Sequence, residues 1–404
     1  MDKLRILDLE SKGCFDFFWN EANSDNESPG YGLIVDNTKN RNVSSIASVG
    51  FGLSAYVIGI ERRWITYEEG YNRTKGTLET FYKNVEHDDG FFYHFLDMKT
   101  GKKNEAYYDC ASIIDTTLFL NGAIVAAEYF GGEIKELFEK IYRRVDWTVY
   151  YDESVNQFYM GYTKEKGGWH HWDTYAEQLS QYVLSVASPT YPVPAKIYDG
   201  FEKRKAKYGP YEVINSPGGA LFVHQYSHAF IDFRKYVDKD GIDWFENSIN
   251  ATRANRQFCI DNPYGLKTYH ENAWGLTACA SPNGYIVPGG PPFYPGFEPK
   301  LDGTVTPCGP AGSIVFTPEE SIEALNYFYE NHPKLWGEYG FQDAYNLDTD
   351  PEWYADHVIG INKGITLVMI ENYRTGLIWD LYMSNEYVRE GIRRLGWKEK
   401  NTSK

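Results

Sequence analysis

Residues 46–58 are almost wholly apolar or small, which predicts a helix buried on most sides. Residues 67–85 follow, opened by Thr66 and acidic residues in the first turn, and read as an amphipathic partner. The same two-step rhythm returns as a buried helix over 113–129 and an amphipathic one over 134–150. It recurs at 172–186, and again at 221–237 followed by 243–261. Further helices are predicted at 318–331, 363–375 and 385–395. Residues 1–8 alternate charged and apolar side chains, which reads as the start of a helix and not as an export signal. Loops rich in Gly, Pro and aromatics lie between, the longest over 282–313, and residues 90–95 suggest hairpin strands on a rim. Inner and outer helices paired roughly six times predict an all-α fold, an (α/α)6 toroid, as a single domain over 1–404. No Ser/Gly/Pro linker divides the chain, and a generic helical array would show closer similarity between repeats.

Composition sharpens the ligand class. Aromatic residues reach 17%, with 34 Tyr and 11 Trp, and the formal net charge is −16. Tyr and Trp join a flat apolar body to a polar tip, which suits the walls of a sugar groove. Phosphate backbones and anionic membranes require a basic patch, so nucleic acid and membrane partners are not expected. No apolar run approaches membrane-spanning length. Cys14, Cys110, Cys259, Cys279 and Cys308 are odd in number and scattered, which argues against disulfides and against a zinc site. A cytoplasmic protein with reduced thiols and no metal or other cofactor is the expectation.

Cleaving a glycosidic bond takes one carboxylic acid to protonate the leaving oxygen and a carboxylate across the sugar ring. With 56 Asp and Glu, context must select them. Glu177 lies behind Trp169, His170, His171, Trp172 and Tyr175 at the start of a predicted helix. Taken alone, a solvated Glu favourable to the helix dipole is the simpler account. Asp115 heads an apolar helix, where an N-cap is the default and a side chain facing the toroid axis the alternative. His224 and His228 stand four apart, a spacing suited to a metal or equally to a polar pocket wall, without the HExxH order. Asp232 and Arg234 read as a structural ion pair. Asp343, beside Tyr345 and Asn346, and Glu371, near Arg374, each sit among apolar neighbours, where a carboxylate must be paired or tuned. For Glu371 the simple partner is Arg374, while for Asp343 a loop setting favours function. No phosphate loop and no GxSxG nucleophile motif is present.

Several of these segments together, in order from about residue 15 to 379, resemble the glucoamylase-like domain family that includes glycoside hydrolase family 144. They are 45–55, 114–118, Glu177 with 182–190, 221–225, 232–234, 254–257, 274–278, 340–346 and 370–376. The resemblance implies an (α/α)6 barrel acting on β-1,2-glucans with inversion, and a saccharide as partner. It places the proton donor on Glu177, with Asp343 and then Asp115 as the second carboxylate. It makes His224, Gln225, Arg234 and Trp274 sugar contacts, with Trp172, Tyr345 and Glu371 completing the candidate set. Related cyclic-glucan synthase domains carry Trp-Gly-Ile-Ser-Glu where this chain has Ala278 followed by Cys279, so double displacement through that position is not expected. Cys279-Ala280 also replaces the usual Ser-Asp, so one subsite is expected to differ. The competing readings are an exo-acting enzyme or transglycosylase on a related glucan, and a non-catalytic glycan-binding barrel.

Overall fold

The computed structural model describes residues 3–106 and 110–400; of the N-terminal stretch read as a helix start, residues 1–2 lie outside the described residues. The helices are α1 (Arg5–Asn20), α2 (Ile46–Glu61), α3 (Tyr67–Lys83), α4 (Ile113–Phe130), α5 (Gly132–Arg144), α6 (Leu179–Ala187), α7 (Trp244–Asp261), α8 (Cys308–Gly312), α9 (Pro318–Asn331), α10 (Gly360–Arg374), α11 (Leu377–Ser384) and α12 (Glu386–Arg394). Short antiparallel hairpins fill many of the connections, so the fold is helix-rich and not purely helical.

The uniform apolarity of α2 has its cause in packing: it lies against α4 on one side and α10 on another, and every residue from Ile46 to Gly59 is buried. α4 in turn contacts α5, α6 and α11. A Cβ on Gly122 would overlap the carbonyl of Gly50, and one on Gly50 would overlap that of Leu118, so glycine is what lets α2 and α4 approach this closely. α3 shows the expected contrast to α2. α3 is amphipathic and closed by a capping box, in which Thr66 accepts from the Glu69 N–H while the Glu69 carboxylate accepts from Thr66.

Buried carboxylates tie α10 to α1 and to the end of α2. Lys363 of α10 meets Glu10 of α1 at 2.8 Å, and Glu10 also accepts from the Phe341 N–H at 2.8 Å. Glu371 of α10 pairs with Arg62 at 2.8 Å, not with Arg374, which reaches across to Asp8 at 2.5 Å.

Four expectations need correction. Residues 221–237 form no α-helix but two short 3-10 turns, Leu221–His224 and Phe233–Lys235, joined by buried loop. Here other elements claim the backbone: the Asn372 amide donates to the Ala229 carbonyl at 2.8 Å, and the Trp379 indole to that of His228 at 2.7 Å. The pattern over 172–186 becomes helical only from Leu179, because the backbone before it is claimed by other segments: the Trp172 N–H donates to the Phe158 carbonyl at 2.9 Å, the Asp173 carbonyl accepts from the Glu202 N–H at 2.7 Å, and Thr174 bridges to Glu202. The amphipathic run over 134–150 ends its α-helix at Arg144 and continues as the 3-10 turn Trp147–Tyr150. Finally, α4 is, by length and composition alone, apolar enough to cross a membrane; it is 78% buried inside the protein, as the central helix of a core is.

Candidate active site

The N-terminal ends of α2, α4 and α10 open onto one cavity of about 780 Å³, lined there by Ser45, Ile114, Asp115 and Ile361. Glu177 faces it from the bend ahead of α6, Phe222 from the 3-10 turn Leu221–His224, and Tyr226 from the buried loop that follows. The hairpin Cys279–Ser281/Gly284–Ile286 supplies Ala280 and Tyr285, and Trp353 and Tyr354 stand near Asp356 and His357 on the remaining side. The walls thus combine aromatic faces with four carboxylates: Asp36, Asp115, Glu177 and Asp356.

Glu177 is held by its backbone. The Ser227 hydroxyl donates to its carbonyl at 2.7 Å and accepts from the Ser180 N–H at 3.1 Å, fixing the bend to the first turn of α6. Loss of water around its carboxyl, reinforced by the negative charge of Asp115, pushes its pKa up to about 7. Asp115 sits in the first turn of α4, whose N-cap is Ser112 and not Asp115 itself. The Ser112 hydroxyl donates to Asp115 Oδ2 at 2.6 Å, and His94 Nδ1 stands 3.4 Å from the same oxygen. Burial raises the pKa of Asp36, against the hydrogen bond from Asn37 that lowers it. The hydrogen bond from His357 leads the effects that lower that of Asp356.

Asp343 is not on the cavity wall. It is buried behind it, with Oδ2 accepting from the Ala280 N–H at 2.7 Å and Oδ1 from the Asn362 amide at 2.8 Å. Arg234 forks onto Asp232, at 2.8 and 3.0 Å, and lies 4.0 Å over the Trp379 ring, so it fills the structural ion-pair role. His224 bonds Asn215 at 2.9 Å, and burial drives its pKa down to about 3, leaving it neutral. Gln225 donates to the Gly309 carbonyl and the Ser313 hydroxyl, both at 2.9 Å. Trp172, Trp274 and Tyr345 are buried core aromatics, and Glu371 is committed to Arg62. None of these eight residues is among those lining the cavity. His224 and His228 do not share a helical face, since the 3-10 turn ends between them. The residues missed by sequence reasoning are Asp36, His94, Tyr285, Asp356 and His357, which arrive from hairpins and short loops whose patterns carry no chemical signal.

Comparison with known proteins adds ancestry to this geometry. The family model described as "Putative glucoamylase" matches residues 169–386. An exo β-1,2-glucooligosaccharide sophorohydrolase (non-reducing end) from Parabacteroides distasonis is 30% identical over 97% of this chain, which spans 58% of that protein's length. The solved endo-β-1,2-glucanase from Chitinophaga pinensis, in complex with sophorotriose and glucose, superposes with a TM-score of 0.88 at 29% identity, covering 98% of this chain and 99% of that one. A β-1,2-glucanase structure from Parabacteroides distasonis gives 0.86 at 29% identity, covering 98% of this chain and 60% of that one.

Proposed function

The chain belongs to the glucoamylase-like family, and on that premise we propose that it is a glycoside hydrolase cleaving β-1,2-linked glucose chains with inversion. The observation that carries the proposal is Glu177: a carboxyl facing a sugar-sized aromatic cavity, with its pKa lifted to about 7 by desolvation and by Asp115. Such a group still holds its proton near neutral pH and is matched to general-acid work. Relatives of similar fold and about 30% identity that act on β-1,2-glucans supply the linkage.

In this mechanism Glu177 donates its proton to the glycosidic oxygen as the bond to the anomeric carbon breaks. A water on the opposite face attacks that carbon and gives its proton to a second carboxylate. Asp115 is that base in our reading, because its carboxylate lines the cavity holding Glu177, whereas both oxygens of Asp343 are engaged behind the wall. Rings such as Phe222, Tyr226 and Trp353 meet the C–H faces of the sugar. The neighbour relations of α2 with α4 and α10, and of α4 with α6, support an (α/α)6 toroid formed as one domain, with the cavity at its axis.

The test is hydrolysis of defined sophoro-oligosaccharides. Glu177→Gln is expected to abolish sugar release with an unchanged circular dichroism spectrum, and the native protein to release the inverted anomer in an NMR time course. Undiminished turnover by the variant sinks the assignment.

A further inference from the structure

The hairpin Cys279–Ser281/Gly284–Ile286 pairs Ala280 directly opposite Tyr285, so their side chains share one face of the ribbon. Both line the cavity. Tyr285 is 62% exposed, so its ring is open to a ligand entering the cavity. Across the ribbon Ala280 presents only a methyl group, leaving space beside the ring for a flat ligand. Although the ring is exposed, loss of water around the Tyr285 hydroxyl, and then the charge of Asp343, raise its pKa. It therefore keeps its proton and is a donor at any working pH.

What fixes this hairpin is Asp343. Its Oδ2 accepts from the Ala280 N–H at 2.7 Å, the residue facing Tyr285, and its Oδ1 accepts from the Asn362 amide at 2.8 Å. The Asn362 amide also donates to the Ala278 carbonyl at 3.2 Å, so two points on the approach to the hairpin are tied to α10 through one pair of side chains. Asp343 is itself held, its N–H donating to the His357 carbonyl at 3.0 Å and its carbonyl accepting from Thr306 at 2.6 Å.

We propose that Tyr285 is a stacking platform for a glucose ring in the cavity, and that Asp343 is the positioning residue that holds this platform at its working height. This rests on the glucan-hydrolase reading above and assigns Asp343 a task distinct from the general base. A carboxylate in the catalytic step would be felt in kcat, whereas one that aims a platform is felt chiefly in substrate affinity.

The experiment measures kcat and KM on sophoro-oligosaccharides for Tyr285→Ala, Tyr285→Phe, Asp343→Asn and the double variant Tyr285→Ala/Asp343→Asn. Calorimetric binding to the same variants is measured in a Glu177→Gln background. Tyr285→Ala is expected to raise KM by on the order of tenfold with kcat within about threefold, and Tyr285→Phe to recover most of the KM. Asp343→Asn sets an amide N–H against one of its two donors and is expected to raise KM similarly. The double variant should then add little, because both changes act on one platform. The proposal is overturned if Tyr285→Ala leaves KM unchanged. It is also overturned if Asp343→Asn removes kcat by about a thousandfold or more at constant KM. If the Glu177→Gln protein binds no sophoro-oligosaccharide, the glucan reading fails together with the platform. Binding that is indifferent to Tyr285 removes the platform alone.

Discussion

At the scale of the residue, Glu177 connects chemistry to stability. A group whose pKa rises from 4.5 in the unfolded chain to about 7 in the fold is favoured by folding while protonated. That favourable balance is complete below about pH 4.5 and is lost as pH climbs through 7, at a cost of about 3 kcal/mol once the carboxylate is ionised. Two expectations follow from the same shift. Since the acid must be protonated to act, kcat should fall with rising pH through about 7, as a pH–rate profile will show. Glu177→Gln removes the ionisation, so the inactive variant should gain up to about 3 kcal/mol over the native protein at pH 8 and nothing comparable at pH 4, measured by urea unfolding at both pH values. Little of this was legible in the sequence. Its local context offered an ordinary helical Glu, and the distinguishing property, a carboxyl partly stripped of water on the wall of a cavity shared with Asp115, exists only after distant segments meet.

At the scale of the element, pattern succeeded where one face or all faces of a helix decide its composition. The largely apolar α2 and α4, and the capped α3, are legible for that reason. It failed at 221–237, which is as apolar as a helix but threads the core as a loop, its carbonyls taken by Asn372 and Trp379. Periodicity cannot reveal partners that lie some 150 residues away in the chain. Two contacts test the packing. Gly122→Ala drives a methyl group into the Gly50 carbonyl, where backbone and not a flexible side chain must yield. It should destabilise by about 1–3 kcal/mol or more and, by spreading the helices that carry Ser45 and Asp115, lower turnover as well. Lys363→Met leaves Glu10 as an unpaired buried carboxylate and should cost about 3–5 kcal/mol. Adding Glu10→Gln to it should recover part of that loss in the same denaturant series, the amide still offering its oxygen to the Phe341 N–H.

At the scale of the whole molecule, the carboxylates of the cavity are gathered where the N-terminal ends of α2, α4 and α10 point, so three helix dipoles oppose their mutual repulsion. The chain as a whole carries a formal charge of −16, and Lys39 is the only lysine or arginine on the cavity wall, among the described residues. A field of this sign neither attracts nor repels a neutral glucan, but it holds off polyanions over distances comparable with the Debye length of about 10 Å at 0.1 M salt. For unsubstituted sophoro-oligosaccharides, kcat/KM should therefore change by less than about twofold between 20 and 500 mM NaCl. A glucan carrying anionic substituents should be processed more slowly at low salt and should gain as salt screens the cavity mouth. Steady-state rates on the two substrates across one salt series decide the matter. A steep loss of activity on the neutral chain would mean that attraction between charges, and not stacking and hydrogen bonding, brings the substrate in.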